Sequence, residues 1–397
     1  MRAITLIQPN RLVFGTQAFE RFREELLQAA CKRVWILTIP PFVDMLAHLV
    51  QEAGRKGITV QVETYDSGEP TFRLYAEHLN KVQGFGAELI VGIGGGSVLD
   101  LAKLLAAMQK NTQSLEDVVG INQLKERKVK LYCLPTTSGT GSEVSPNAIL
   151  LDESTLEKKG VISPFLVPDV TYVDPLLTLD LPPKITAETG VDALSHCIEA
   201  FTNNFSHPIV DDFALRGISL IGRNLLRAYR QGRDVEARSA VALGSMYGGM
   251  CLGPVNTAGV HALSYPLGGK YHVPHGLANA VLLPEVMAYN LPAEVEKHAR
   301  IALALGVQEE GSREEIAQKG VEKVRDLVRA CGIPADLWVL GVKEEDLNEL
   351  AGLAMKVTRL LKNNPRELGF EDAVRIYQRL LKKRTGNHVT DHSRDHG

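Results

Sequence analysis

Asp192 and His196 stand four apart in "GVDALSH" (190–196), and with Glu188 they make a polar stripe on a helix otherwise carrying Ile185, Ala193, Leu194, Ile198 and Phe201. A carboxylate and an imidazole at i and i+4 can converge on one cation. Taken alone, D-x-x-x-H reads more simply as a satisfied pair on a helix surface. The stretch "HALSYPLGGKYHVPHG" (261–276) shifts that balance, because it supplies His261 near the end of one helical run and His275 beside Pro274 at the start of "GLANAVLLPEVM". One carboxylate and three imidazoles form a four-ligand site for a divalent first-row metal, with room for a substrate oxygen. Ligand chemistry alone leaves Fe2+, Zn2+ and others open.

Two glycine-rich loops point to a second ligand. "ELIVGIGGGSVLDLAKLLAAM" reads as a buried strand, a run of glycines and a helix, so the amides of Gly94, Gly95, Gly96 and Ser97 can approach a pyrophosphate at a helix N-terminus. The third glycine of G-x-G-x-x-G is missing, and a purely structural turn is the competing reading. The second loop, "LPTTSGTGSEVSPNAIL" (134–150), concentrates Thr136, Thr137, Ser138, Thr140 and Ser142 around Gly139 and Gly141, which suits a wrapped ribose or phosphate. Neither loop is G-x-x-x-x-G-K-[ST], so a dinucleotide fits better than ATP hydrolysis.

Elements must position these groups. Strand-like runs at 33–38, 58–65, 88–93 and 130–135 alternate with helical patterns over Phe42–Glu52, Tyr75–Val82 and Val98–Met108, the signature of a parallel, doubly wound sheet. Each loop then lies at the C-terminal end of a strand, where open α/β sheets bind ligands. From about Pro182 helical periods follow one another with hardly a strand. The expected organisation is an α/β nucleotide-binding domain over 1–180, an all-helical domain over 181–385 and a disordered tail over 386–397. His388, His392 and His396 in that tail read as solvated residues, since no apolar stripe holds them on a helix.

A chain of 397 residues suits two domains and hence a cleft. A net charge of −3 offers no broad basic field for nucleic acid, and no apolar run is long enough to span a bilayer. The start lacks a signal-peptide pattern, so the expectation is a cytoplasmic protein acting on a small molecule. Five scattered cysteines without a CxxC pair indicate neither a disulfide framework nor a thiolate zinc site, and Cys197, next to His196, reads chiefly as a buried hydrophobe.

"GGGSVLD" (94–100), "TTSGTGSE" (136–143), "GVDALSH" (190–196) and "HALSYPLGGKYHVPHGLANAVLLP" (261–284) occur in order, and together they closely resemble the iron-containing, group III alcohol dehydrogenase family. The resemblance extends to "NNPR" (363–366). It implies a dehydroquinate-synthase-like fold, an N-terminal Rossmann-type NAD(P)-binding domain, a C-terminal helical domain and a catalytic cleft between them. Asp192, His196, His261 and His275 would ligate the metal. Gly94, Gly95, Gly96 and Ser97 would hold the pyrophosphate, with Asp100 closing the motif; Thr136, Thr137, Thr140 and Ser142 would line the cofactor, and Lys159 would approach from an adjacent hairpin. The implied reaction is hydride transfer between an alcohol, or the corresponding aldehyde, and NAD(P), with the cation polarising the oxygen. At least a homodimer is implied.

Three positions depart from the family pattern. Many members carry a histidine four residues after the third ligand, where this chain has Tyr265; His272 could carry the proton instead, or Tyr265 could donate a hydrogen bond. Ile39 stands where an aspartate often meets the adenine ribose, leaving NAD or NADP open with a leaning to NAD. The histidine-bearing tail has no counterpart. Two other enzyme classes compete: a dehydroquinate-synthase-like lyase, which should show a denser set of Lys and Arg than "SYPLGGKYHVPHG" supplies, and a metal-free reductase of an acidic keto substrate resembling maleylacetate reductase, which the four intact ligands oppose. A nucleotide-binding module without catalysis would leave those ligands unexplained.

Overall fold

Valine, isoleucine and leucine fill the central strands of a parallel sheet so completely that both its faces need a covering of helices. The computed structural model describes residues 2–65, 68–155 and 157–381. The first half runs β1 (Arg11–Phe14), α1 (Ala18–Leu26), β2 (Arg33–Thr38), α2 (Val43–Arg55), β3 (Thr59–Thr64), α3 (Phe72–Phe85), β4 (Leu89–Gly94) and α4 (Gly96–Met108). It continues through α5 (Leu115–Val118), β5 (Gly120–Ile121), β6 (Lys130–Pro135), β7 (Asn147–Asp152), β8 (Glu157–Ile162) and β9 (Val170–Val173). Six of these strands pair in the order β1-β9-β6-β4-β2-β3, parallel throughout. α4 is packed on one face with Trp35, Leu37 and Leu131, while Phe22 and Leu49 cover the other face.

The four expected strands fall within a residue of their expected positions. β1, β5, β9 and the antiparallel β7/β8 hairpin are additions, being short or marked by polar residues that hide their periodicity. After β9 comes a short 3-10 turn at Pro175–Thr178 and then helix only, among the described residues. These helices are α6 (Pro183–Thr202), α7 (Pro208–Arg230), α8 (Val235–Leu252), α9 (Gly259–Tyr271), α10 (His275–Asn290), α11 (Val295–Ala304), α12 (Arg313–Ala330), α13 (Leu347–Met355), α14 (Thr358–Leu361) and α15 (Phe370–Leu380). His388, His392 and His396 lie outside the described residues.

Helix α6 is the axis of this half. Pro183 suits its first turn, where the missing N–H would have no intrahelical partner, and sixteen of its twenty residues are buried. Buried polar groups on such a helix must find partners. Cys197 is on a side of α6 that packs against α7 and α8, close to Gly217 and Gly248, so it is a core residue and not part of the site.

The two halves meet where Gly141, in the left-handed region at φ 61°, lies against the backbone of Gly249 on α8. A side chain at either position would collide with the other strand of backbone, so this close contact seats the β6/β7 loop on the helical half. No helix of the described residues is long and apolar enough to cross a membrane.

Candidate active site

The polar stripe of α6 faces inward and extends one turn further than expected. Asp192 and His196 are joined by Glu199, all three nearly fully buried. His261 is the third residue of α9, not near the end of a helical run: Asn256, at φ 65°, breaks the chain after α8, and a new helix begins at Gly259. His275 opens α10, whose Gly276 lies directly against the Glu188 carbonyl and so brings the N-terminus of α10 onto α6.

These placements bring one ligand atom each from Asp192, His196, His261 and His275 within 4.8 Å of one another. From Asp192 Oδ1 the Nε2 atoms of His196, His261 and His275 are 3.9, 3.6 and 3.8 Å away, and His196 Nε2 and His261 Nε2 are 3.0 Å apart. A tetrahedron with arms of about 2.1 Å, ordinary for zinc or iron with N/O ligands, has edges of roughly 3.4 Å. The donor set fits one such cation. Asn279, four residues after His275 and fully buried, directs Nδ2 at Asp192 Oδ1 (2.6 Å), His261 Nε2 (3.0 Å) and His275 Nε2 (3.2 Å), while its Oδ1 has no partner. The acceptors thus converge on a point that attracts the positive end of whatever dipole is near.

Neighbours set the protonation of these ligands. Burial alone would raise the Asp192 carboxyl, but the three surrounding imidazoles hold it well below the usual carboxylate range. Burial keeps His196 and His275 below the ordinary imidazole value, which leaves them neutral as ligation requires. His261 is the exception: burial opposes its charging, yet Glu199 outweighs this and pushes it up to about 10.

Glu199 does more than charge its neighbour. Its Oε1 accepts from the N–H groups of Ala258 (3.1 Å) and Val260 (2.7 Å), capping the start of α9, and its Oε2 pairs with His261 Nδ1. Nδ1 is thereby the donor nitrogen, and Nε2 faces the ligand centre. His196 is oriented in the same way by the Gly139 carbonyl, 3.3 Å from its Nδ1. A residue of the second glycine-rich loop therefore orients one of the four convergent side chains.

The glycine-rich segments behave as one unit. Gly95 caps α4 without a side chain, and a Cβ on Gly96 would come within 2.5 Å of Thr140, so the loops interlock. Gly96, Ser97, Asp100, Thr140 and Ser142 line the same cavity as His196, His261 and His275. Gly94 is buried against Val98, Gly95 lies beside Thr137, and Thr136 is buried with its hydroxyl unpaired. Asp100 uses its oxygens internally: it accepts from Ser142 Oγ and from the Ile149 amide (3.0 Å). Lys103, fully buried one turn on, donates to the Ser142 carbonyl and hydroxyl, both at 2.9 Å. This pair ties α4 to the second loop and to β7. Glu143, buried in that loop, has its carboxyl pushed up to about 7 by desolvation.

Three expectations need correcting. Lys159 pairs with Glu157 (3.0 Å) and is absent from the cavity wall; Lys158 takes that place, because alternate residues of β8 face opposite sides. His272 is exposed at the C-cap of α9, at φ 53°, and is not in the cavity wall. The cleft is also less poor in basic groups than the local sequence implied, since Lys158 and Arg359 both line it. Tyr265 does enter the site, its ring 6.1 Å from that of His275 and its hydroxyl accepting from Arg359 at 3.5 Å.

Sequence reasoning missed Glu199, Asn279, Lys103, Lys158 and Arg359. Glu199 and Lys103 left a signal: each is a charged residue one turn from a singled-out one, inside an apolar helix. Arg359 left none, because it arrives from nearly a hundred residues beyond Tyr265.

A family profile described as "Iron-containing alcohol dehydrogenase" matches residues 9–175, and one described as "Fe-containing alcohol dehydrogenase family, C-terminal" matches residues 186–381. Long-chain-alcohol dehydrogenase 1 of Geobacillus thermodenitrificans is 35% identical over 384 residues, covering 95% of this chain and 97% of that one. A crystal structure of a 1,3-propanediol oxidoreductase superposes with a TM-score of 0.90 at 33% identity, covering 96% of this chain and all of the other. Sulfoacetaldehyde reductase from Bifidobacterium kashiwanohense, in complex with NAD+, superposes with a TM-score of 0.84 at 27% identity, over 96% of this chain and 100% of that one.

Proposed function

The chain belongs to the iron-containing alcohol dehydrogenase family, and on that premise we propose that it interconverts an alcohol and its aldehyde with NAD(P) at the cleft between its two halves. The observation that carries this reading is the shared cavity: glycine-loop residues and three of the four convergent ligands line one space. Cofactor and metal therefore meet at a single substrate.

Asp192, His196, His261 and His275 would hold a divalent cation, Fe2+ in our reading, with Zn2+ the main competitor. A cation bound there supplies Lewis-acid polarisation of the substrate oxygen. The rest is the work of the chain. The amides of Gly95, Gly96 and Ser97 at the start of α4 bind the pyrophosphate, and Thr137, Thr140 and Ser142 position the adjoining sugar. Tyr265 closes the substrate side beside His275 and excludes water from the transferring hydride. NAD is favoured over NADP because Ile39, at the end of β2, brings no cation for a 2′-phosphate. The relative solved with NAD+ supports the same choice.

A cytoplasmic homodimer or higher oligomer completes the reading. Partly buried Leu12, Phe14, Tyr247 and Met250 cluster beside β1, a strand paired along one side only among the described residues. The test combines metal analysis of the isolated protein with NADH and NADPH oxidation on short aldehydes, with and without added Fe2+ or Zn2+. Turnover that tracks metal content is expected; no bound metal and no turnover after reconstitution would overturn the assignment.

A further inference from the structure

Beside the cavity that holds the ligand cluster lies a second chamber of about 400 Å3, a volume within the range of small-molecule sites. Tyr265, Lys158 and Arg359 belong to the walls of both spaces, so the two adjoin at these side chains. Four cations line the two spaces together: Lys158, Lys270, Lys356 and Arg359. Three already have carboxylates. Lys158 pairs with Glu69, Lys270 with Asp346 and Glu349, and Lys356 with Glu157. Arg359 has no carboxylate in ion-pair range among the described residues; its one hydrogen bond is to the Tyr265 hydroxyl.

That contact relates the guanidinium to the ligand cluster. The Tyr265 ring rests beside His275, and its hydroxyl end meets Arg359, so the charge stands one phenol ring away from the ligand cluster. Arg359 Nη2 also lies near Gly160 on β8, where a Cβ would be 3.6 Å from it. Asp192 and Glu199 would balance the charge of a divalent cation, so the centre itself neither attracts nor repels an anion strongly. A partly buried, unpaired, bidentate donor is the group suited to recognise a carboxylate or sulfonate.

Resting on the alcohol–aldehyde reading above, we propose that the preferred substrate is a short aldehyde carrying an anionic group, carboxylate or sulfonate, at the end opposite its carbonyl, and that Arg359 binds that group. The reaction balances as for any aldehyde: hydride from the reduced nicotinamide goes to the carbonyl carbon, a proton goes to oxygen, and the ω-hydroxy anion and oxidised cofactor leave.

The test compares the metal-loaded wild type, Arg359→Met and Arg359→Lys on 4-oxobutanoate and sulfoacetaldehyde against butanal, with KM for the nicotinamide measured alongside. Calorimetric titration with succinate, which cannot react, reads anion binding without turnover. Arg359→Met should raise KM for both anionic aldehydes tenfold to a hundredfold, the range for a lost charge-assisted hydrogen bond, and weaken succinate likewise. Butanal and nicotinamide KM should stay within threefold, and Lys should restore part of the loss. Equal losses on butanal, a raised nicotinamide KM, or unchanged succinate binding would each overturn the proposal. Wild type that binds succinate through Arg359 yet reduces no aldehyde would overturn the alcohol–aldehyde reading and leave the anion site standing.

Discussion

Glu199 separates folding from metal binding, and two substitutions expose the difference. Glu199→Ala removes the acceptor of the Ala258 and Val260 amides, and each buried N–H left unpaired costs about 1–3 kcal/mol. Together with the lost cap, a fall of roughly 2–6 kcal/mol in stability is expected, and each kcal/mol lowers Tm by about 2–4 °C in a domain of this size. Glu199→Gln keeps a carbonyl oxygen for those amides, so its stability should stay within about 1 kcal/mol of wild type. Its amide, however, turns an N–H toward His261 Nδ1, where the carboxylate had accepted one. Nδ1 must then accept, the ring proton moves to Nε2, and the nitrogen that faces Asp192 and His196 loses its lone pair. Outer-shell partners of this kind are worth about 10–100-fold in metal affinity. The assay is a titration of apoprotein with Zn2+ or Fe2+ against a competing chelator, paired with thermal denaturation. A Glu199→Gln variant that keeps its Tm and weakens metal at least tenfold is expected; one that binds metal as tightly as wild type would refute the tautomer argument.

Further outcomes follow from other contacts. His272→Ala should leave turnover and its pH profile unchanged, because the side chain is exposed and outside the cavity; His272→Gly should raise Tm slightly, since glycine accepts φ 53° without strain. Gly141→Ala puts a side chain both into the left-handed region and onto the Gly249 backbone, so a loss above about 2 kcal/mol in thermal denaturation and a weakened nicotinamide Kd are expected together. Glu143 binds its proton more tightly folded than unfolded, with a folded value near 7 against 4.5 for the free group. The native state then holds more protons than the unfolded state between these values, so stability contributed by this group is present below pH 4.5 and is lost as pH rises to about 7, by roughly 3 kcal/mol. Glu143→Gln should flatten that part of the Tm profile and be more stable than wild type at pH 8; a wild-type profile with the same slope as the variant would count against it.

Much of this molecule was legible in its residues because the informative features are local. Strand β4, the glycine turn and α4 form one continuous pattern, and Asp192 and His196 share a helix face by spacing alone. Side-chain direction on β8 was not legible: without the register of the β7/β8 hairpin, Lys158 and Lys159 are indistinguishable. His272 lies only three residues before His275, yet the left-handed cap that ends α9 turns the chain there and carries its imidazole to solvent.

The amino-acid sequence by itself determined the fold class, the two loops at strand ends and the identity of four side chains able to share a cation, because each depends on short-range periodicity or on chemical type. Only the tertiary structure decided what surrounds them. Glu199 as the orienting group of His261, Gly139 as that of His196, and Arg359 as the unpaired charge beside Tyr265 come from elements separated by tens of residues or more. Such contacts are chosen by how helices pack on α6 and by which backbones approach closely enough to touch, and no spacing along the chain encodes that approach.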